Sequence, residues 1–459
     1  MSVVATRLGA GVGRIFHHRV VRNALALYIT QGAYLLLPLI TVPYLARVLG
    51  PATWGPVMFA QAVSIWLSLV VEYGFSLSAT REIARNSDRA DVMKSIVAGV
   101  MGARGVLTIW MCGAAAALWW AIPLFTDKPE YLFWAVLAAI GQGFAPFWYF
   151  QGRESFARAA AASVGPRALF ALALFVFVTE PAHGSRMLAL NAAGALVGTA
   201  LCLAIMYREV PLTLPTRGSV AGALASGWNM FLFRAASGAY TSANILVLGL
   251  LASPIVVAFY GGADRVARAL LLLFVPVSQA LYPRVTHLLV RDAVGAARFT
   301  RKYLVLAGVG ATCVAVILAA SAPLVIALAL GPGYETAVPV LQILALLIPM
   351  VALNNILGVQ WMLPLGLDRS FNVVIASAAA INIALAVMLV PRLQAGGMAL
   401  SVVLAETFVT VAMYLVLRSK GLDPFALSRS TRAATPRYPA PSQIVQPAAS
   451  VIDQPVSGR

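Results

Sequence analysis

The chain has 459 residues, of which 61% are hydrophobic and only 11% are charged, and its formal net charge is +17. A soluble globular protein could not cover so much apolar side chain with so little polar surface, so this composition excludes that class and indicates a polytopic membrane protein. Arginine carries most of the positive charge and stands largely in short loops, where the positive-inside bias accounts for it. Because there is no basic soluble domain, the charge predicts no binding to nucleic acid.

Apolar segments of membrane-spanning length recur along the chain and predict about twelve transmembrane helices, from residues 24–47 to residues 396–418. Lys and Arg gather in alternate loops, which predicts that these loops and both termini are cytoplasmic. Residues 1–22 form a basic N-terminal segment on that side. In residues 421–459 the composition turns to Pro, Ser, Ala and Arg, which predicts a disordered cytoplasmic tail.

The two halves of the membrane region are weakly similar to each other. A charged loop begins near Arg81 after the second segment, and its counterpart begins at Arg284 after the eighth. Two short pieces, QGRESF after the fourth segment and LGLDRSF after the tenth, also correspond. The sequence therefore predicts an all-α protein with two six-helix bundles, residues 23–210 and 211–420, around a central cavity, which is the usual architecture for alternating access.

A cluster of charged residues lies deep inside the predicted spans. An arginine there costs roughly 2.5–3.5 kcal/mol on insertion scales, so it needs cavity water, an anion or a carboxylate. Asp264, Arg265 and Arg268 are one to four residues apart, and the pairs three and four apart share a helical face. Together with Arg234 in the preceding segment, they form the predicted binding site for an anion. The alternative, which the spacing leaves open, pairs Asp264 with Arg268 and another arginine with Glu406.

Two further arginines, Arg104 and Arg167, stand in mostly small and apolar segments and are weaker candidates for the same site. Each must find a partner, which could equally be a neighbouring helix end or a loop. The carboxylates within the spans, Asp264, Glu72 and Glu406, could bind H⁺ or Na⁺ for ion coupling, or they could form salt bridges. No metal site and no other cofactor is predicted.

Several stretches resemble one family of bacterial transporters. Residues 31–55, with PLITVPYLARVLG, resemble the first helix of oligosaccharide flippases of the Wzx type. These flippases form part of the polysaccharide transport branch of the multidrug/oligosaccharidyl-lipid/polysaccharide exporter superfamily. Similar pieces are EYGFSLSATR at 72–81, WYFQGRE at 148–154 and LPLG at 363–366, and the resemblance covers residues 23–418 in order.

The resemblance implies movement of an undecaprenyl-diphosphate-linked sugar repeat unit from the cytoplasmic to the periplasmic leaflet of the bacterial inner membrane. It also implies assembly of a surface polysaccharide, such as O-antigen or exopolysaccharide, alongside a polymerase and chain-length machinery. The anion would then be a diphosphate, which suits arginine because a guanidinium stays charged in a partly dry cavity. Tyr28, Gln31, Tyr34 and Gln61 would contact the sugar, unless they hydrogen-bond between helices instead.

Two other functions are weighed against this one. A multidrug or cation antiporter of the same superfamily would be expected to keep acidic residues in its cavity, whereas arginine is in excess here. A membrane-embedded glycan polymerase or ligase would need a large outward loop, and the predicted loops are short. The sequence also has no Walker A, HExxH or DxD motif, so a transporter is predicted rather than an enzyme.

Overall fold

A computed structural model describes Gly32, Leu37 and residues 40–427 of the chain. All regular elements in this described part are helical, and eight helical runs are long and apolar enough to cross a membrane. The prediction of an all-α, multi-pass membrane protein is therefore confirmed. The count of twelve spans stays a prediction.

The first half of the chain begins with α1, which covers residues 40–72 and bends at Gly50. Gly50 has a φ of 65°, a left-handed conformation that favours glycine, and Pro51 follows it at the start of the second arm. The other helices are α2 (Phe75–Arg85), α3 (Ala90–Ala121), α4 (Pro123–Asp127), α5 (Pro129–Gly143), α6 (Phe147–Gly152), α7 (Phe156–Phe177) and α8 (Gly184–Glu209).

The second half begins with α9, whose first turn is fixed by a capping box in which the Thr216 side chain accepts from the Ser219 backbone N–H at 3.1 Å. Its helices are α9 (Arg217–Leu251), α10 (Pro254–Leu271), α11 (Val275–Arg291), α12 (Ala293–Ala329), α13 (Ala337–Ala345), α14 (Leu347–Asn354), α15 (Asp368–Ser419) and α16 (Pro424–Leu427). A π-helical segment, Asn355–Met362, continues α14.

The helix α15 is long enough to account for two of the predicted spans. Its 52 residues would extend about 78 Å at 1.5 Å per residue, more than twice the hydrocarbon core of a bilayer, about 30 Å thick. It contains Pro391, and Gln394 has a non-helical backbone with φ 52° and ψ −128°. The chain therefore changes direction near Gln394, where the sequence places the loop between the last two spans.

The two halves of the chain share their largest hydrophobic core. Leu45, Trp54 and Phe59 of α1 belong to the same buried cluster as Tyr260 of α10 and Ile348 of α14. Glycine allows close approach between these helices, as in membrane proteins generally. Added methyl groups would press into a neighbouring helix at many of these glycines, as at Gly249, which faces the Phe59 ring.

Contacts between the halves occur at both ends of α1. Near its bend, the Tyr334 hydroxyl donates to the Ala46 carbonyl oxygen at 3.2 Å. At the opposite end, Tyr73 stacks on Phe231 of α9 with ring centroids 4.9 Å apart. We call this second end the basic end, because the arginine-rich stretch from Arg81 in α2 to Lys94 in α3 follows it; the sequence predicts that it is cytoplasmic.

The ordered structure continues past the predicted start of the tail. Residues 421–427 include α16 and pack against the second half, where the Trp361 Nε1–H donates to the Leu422 carbonyl oxygen at 2.9 Å. Asp423 is buried, and its carboxylate accepts from the Phe425 N–H at 2.8 Å. The described structure thus includes residues 421–427, residues 428–459 lie outside the described part, and the disorder of the tail stays a prediction. The division into two six-helix bundles stays a prediction.

Candidate functional site

Polar side chains within the helices gather at two depths. At 1.5 Å per residue, Gln61 lies about 15 Å beyond Pro51 along α1 and Glu72 lies about 31 Å beyond it. Gln61 accepts a hydrogen bond from Arg265 of α10, about midway between Pro51 and Glu72 along α1. Glu72 contacts α9 close to the basic end. We call these groups the central cluster, with Trp54, Gln61, Asp264, Arg265 and Arg268, and the basic-side cluster, with Glu72, Arg104 and Arg234.

Arg268 and Asp264 form an ion pair in the central cluster. The Arg268 Nε–H lies 2.9 Å from Asp264 Oδ1 and 2.7 Å from Oδ2, and the Asp264 side chain is only 9% exposed. A carboxylate so poorly hydrated needs a cation beside it, and the spacing of four residues supplies one on the same helix. The pairing that the sequence left as an alternative is therefore the arrangement observed for these two residues.

Arg265 has a different environment from Arg268. Its Nη2 donates to the Gln61 Oε1 over 3.4 Å, and its guanidinium carbon lies 5.2 Å from the centre of the Trp54 ring. No carboxylate of a described residue lies within 4.0 Å of this guanidinium. Stacking on an aromatic face stabilises the cation and leaves its in-plane N–H donors for another acceptor.

The basic-side cluster joins the two halves by an ion pair. The Arg234 Nη2 of α9 lies 3.1 and 3.0 Å from the two carboxylate oxygens of Glu72 in α1. Arg104 is 1% exposed, lies between the rings of Phe75 and Trp148 at 5.9 Å from each, and donates to a backbone carbonyl. Arg104 is thus enclosed by the helix packing in this arrangement, and its contact with a ligand stays a prediction.

The remaining predicted residues lie at separate positions. Arg167 lines a narrow crevice between α7 and α8, beside Ser163 and Cys202. Glu406 of α15 accepts a hydrogen bond from the Asn354 Nδ2 at 2.6 Å. Three predicted sugar contacts lie outside the described residues: Tyr28, Gln31 and Tyr34.

Some polar residues of this region were not singled out from the sequence. Trp54 of the central cluster is one, because nothing in its local sequence indicates that it lies under an arginine. Asn382 of α15 donates to Asn244 of α9 at 2.8 Å, and the buried Tyr260 hydroxyl has no hydrogen-bond partner among the described residues. The two asparagines stand inside long apolar segments, and that isolation is the signal that could have identified them.

The charges of the central cluster favour an anion. Arg268 is paired with Asp264 and also interacts electrostatically with the Glu406 carboxylate of α15, whereas Arg265 has no carboxylate of a described residue within ion-pair distance. Charge-assisted hydrogen bonds from a guanidinium fork to phosphate or carboxylate oxygens are among the strongest available to a protein. The cluster joins α1 to α10 and therefore lies where the two halves meet.

Comparisons with known proteins agree on one family. A family profile described as "Polysaccharide biosynthesis protein" matches residues 20–289. A protein of Escherichia coli (strain K12) named "Putative O-antigen transporter" is 30% identical over 407 residues, covering 87% of this chain and 97% of the relative. A Shigella dysenteriae protein of the same name is 25% identical over 398 residues, with coverage of 85% and 98%.

Among solved structures, the fold is similar to one titled "Lipid II flippase MurJ, inward closed conformation". The TM-score is 0.59 at 12% sequence identity, and the match covers 89% of this chain and 90% of that one. At this identity the likeness concerns the fold alone.

Proposed function

This chain belongs to the family of polysaccharide biosynthesis proteins, and on that basis we propose that it moves a lipid-linked oligosaccharide across the bacterial inner membrane. Its relatives are named as transporters, and the chain itself is a multi-pass membrane protein, so it is a transporter of the polysaccharide pathway rather than an enzyme. The proposed cargo is an undecaprenyl-diphosphate-linked repeat unit. A polymerase and chain-length machinery are proposed as partners, and both termini are proposed to be cytoplasmic.

The observation that carries this proposal is the environment of Arg265. Its guanidinium has no carboxylate within ion-pair distance among the described residues, unlike Arg234 and Arg268. A dianionic diphosphate would supply the missing acceptor oxygens and neutralise this guanidinium, which offsets the cost of an arginine at membrane depth. The sugar would then occupy the space between the halves while the polyprenyl chain stays in lipid.

Alternating access would require contacts between the halves to open at one end at a time. At the basic end these contacts include the Glu72–Arg234 ion pair and the stacking of Tyr73 on Phe231. Near the bend of α1 they include the hydrogen bond from the Tyr334 hydroxyl. Opening the basic end would break a half-buried ion pair whose side chains are 39% and 25% exposed, so water can replace the lost contacts at a cost on the order of 1 kcal/mol.

Coupling to H⁺ or Na⁺ is a separate part of the proposal. Asp264, Glu72 and Glu406 are the carboxylates available for it, and the first two already pair with arginines. A proton or Na⁺ at one of these carboxylates would weaken its arginine pair and so change which arrangement of the helices is favoured. The cation-antiporter alternative is disfavoured because the guanidinium of Arg265 has no carboxylate of a described residue within ion-pair distance and would repel a cation.

A transfer assay tests the proposal. Purified protein in liposomes is supplied with a labelled undecaprenyl-diphosphate oligosaccharide in one leaflet, and its appearance in the other is followed against protein-free liposomes. We expect Arg265→Gln to slow transfer at least tenfold, because about 1.5–3 kcal/mol is typical for a hydrogen bond to a charged group. The variant Arg392→Gln, at an exposed position of α15 near its break at Gln394, serves as the matched control and should transfer normally.

Two results would count against the proposal. Absence of transfer by the folded wild-type protein, under an imposed H⁺ or Na⁺ gradient, would contradict the flippase function. Wild-type transfer by a folded Arg265→Gln protein would leave the function in place and remove the role of Arg265.

A further inference from the structure

A cavity of about 230 Å³ opens at the basic end, between α2 and α3 of the first half and α9 of the second. Pockets for drug-sized ligands measure about 300–1,000 Å³, so this cavity suits one sugar ring rather than a whole repeat unit. It is separate from the central cluster, because α2 begins beyond the Glu72–Arg234 pair. The lining side chains used below are Phe75, Ser78, Glu82, Ser95, Ser219 and Ser226.

Most of the polar groups in this lining can only accept hydrogen bonds. The Ser78 hydroxyl donates to the Gly74 carbonyl oxygen at 3.4 Å, and the Ser226 hydroxyl donates to that of Ala223 at 3.0 Å. The Ser219 hydroxyl likewise donates to a backbone oxygen, within the capping box of α9. Each serine has thus used its one donor. Ser78 and Ser226 keep acceptor lone pairs, whereas the Ser219 oxygen already accepts from the Thr216 N–H and hydroxyl.

Glu82 adds a charged acceptor to the same wall. It lies four residues after Ser78 on α2, so the two side chains share a face. Its carboxylate makes no hydrogen bond or ion pair to any described residue. Ser95 is the lining serine that keeps a free donor among the residues described. The cavity therefore matches a ligand that brings several donors of its own.

Ligands with many hydrogen-bond donors are polyols and ammonium groups, and the charge around the cavity decides between these two classes. Arg81 and Arg85 flank Glu82 in α2, Lys94 precedes Ser95, and Arg217 opens α9. This basic surrounding disfavours a cation, while a lining with more acceptors than donors, the Glu82 carboxylate among them, disfavours a phosphate, whose oxygens are mainly acceptors. A neutral polyol fits both conditions, and Phe75 in the lining provides an aromatic wall for its apolar face.

We propose that this cavity is a binding site for the hydroxyl groups of one pyranose ring, in which Glu82 accepts hydrogen bonds from neighbouring hydroxyls. The choice of a sugar over another polyol rests on the proposed transport function. A sugar bound here would sit at the basic end, apart from a diphosphate at Arg265. The protein would then recognise the sugar before the transport step, and recognition of the sugar and of the anion would be separable.

The test uses lipid-free ligands with the purified full-length chain in detergent. Saturation-transfer NMR measures binding of methyl glucoside, galactoside, mannoside and N-acetylglucosaminide, with inorganic pyrophosphate and choline as competitors. We expect at least one glycoside to bind, and Glu82→Gln to weaken it about tenfold, equivalent to about 1.4 kcal/mol. Ala223→Leu, which fills the cavity, should abolish binding, whereas the exposed loop variant Asp88→Asn should bind normally. Neither pyrophosphate nor choline should displace the glycoside.

Several outcomes would overturn this site. They are absence of binding by all four glycosides, equal binding to wild type and Glu82→Gln, or displacement by pyrophosphate or choline. If Ala223→Leu does not fold, Glu82→Gln decides, since this carboxylate contributes no hydrogen bond to the described structure. Glycoside binding without lipid-linked transfer would refute the proposed function but keep the site. Lipid-linked transfer without glycoside binding would support the proposed function but refute the sugar site.

Discussion

Removing the carboxylate of Asp264 tests how the central cluster is held together. The Asp264→Asn variant would leave Arg268 without its ion-pair partner, at a site where the aspartate side chain is only 9% exposed. Breaking a buried pair from one side costs about 3–5 kcal/mol. The Arg268 side chain is 42% exposed, so water compensates part of its charge, and we expect the lower end, about 3 kcal/mol.

This cost translates into a measurable shift. With an unfolding entropy of about 2.1 cal/mol/K per residue, the whole chain gives about 1 kcal/mol/K, so the midpoint of thermal unfolding should fall by about 3 °C. The assay is intrinsic fluorescence during heating of the detergent-solubilised protein. The double variant Asp264→Asn/Arg268→Gln should recover most of the loss, because it buries no unpaired charge. Asp127→Asn, at an exposed position, should change stability by less than about 0.5 kcal/mol.

The same double variant separates pairing from ion coupling. If Asp264 only neutralises Arg268, transfer should return together with stability. If Asp264 also carries a proton or Na⁺, the stable double variant should remain inactive under an ion gradient. An Asp264→Asn protein as stable as the wild type, or a double variant less stable than the single one, would refute the pairing argument itself.

Two further predictions concern the basic end. Gly74 has a φ of 75°, and an added methyl group would lie 2.7 Å from the Phe231 backbone nitrogen, whereas Gly50 has a φ of 65° with nothing within 4 Å. The control Gly50→Ala measures the cost of backbone strain alone, so Gly74→Ala should lower the unfolding midpoint further. Equal shifts in the two variants would contradict the close approach of Gly74 to α9. Glu72→Gln should cost less than about 1 kcal/mol of stability yet slow transfer, and the exchanged pair Glu72→Arg/Arg234→Glu should restore the rate. Failure of the exchanged pair would instead favour ion binding at Glu72.

Much of the fold followed from local patterns in the sequence. Long apolar segments such as those in α3 and α12 predict spanning helices because no other structure satisfies the backbone in lipid. Glycine followed by proline is typical of a turn, and the structure has its bend at Gly50 and Pro51. The sequence also places a loop near Gln394, but it does not indicate that this glutamine takes a φ of 52°, a conformation uncommon for residues other than glycine.

In the candidate site too, contacts between sequence neighbours could be predicted, whereas contacts made through packing could not. The shared face of Asp264 and Arg268 could be predicted, because helical spacing is a property of neighbours along the chain. That Trp54 lies under Arg265 could not, because the two stand in different halves and meet only through packing. Because packing contacts are not visible in the sequence, Arg104 is a sequence-based candidate for the cavity, whereas in the structure the rings of Phe75 and Trp148 enclose it. Charge at depth thus shows that a partner exists without identifying it.

The π-helical segment Asn355–Met362 couples the winding of the backbone to the packing of α11. The Gln360 Nε2–H₂ donates to the Asn355 Oδ1 at 3.2 Å and to the Ser278 hydroxyl at 3.1 Å, while that hydroxyl donates to the same Asn355 oxygen at 2.6 Å. Residues five apart lie above one another in a π-helix, but in an α-helix they point about 140° apart. Rewinding this segment to an α-helix would therefore separate the two amides and release α11 from it. These three hydrogen bonds thus make the contact between α11 and this segment depend on the segment keeping its π-helical pitch.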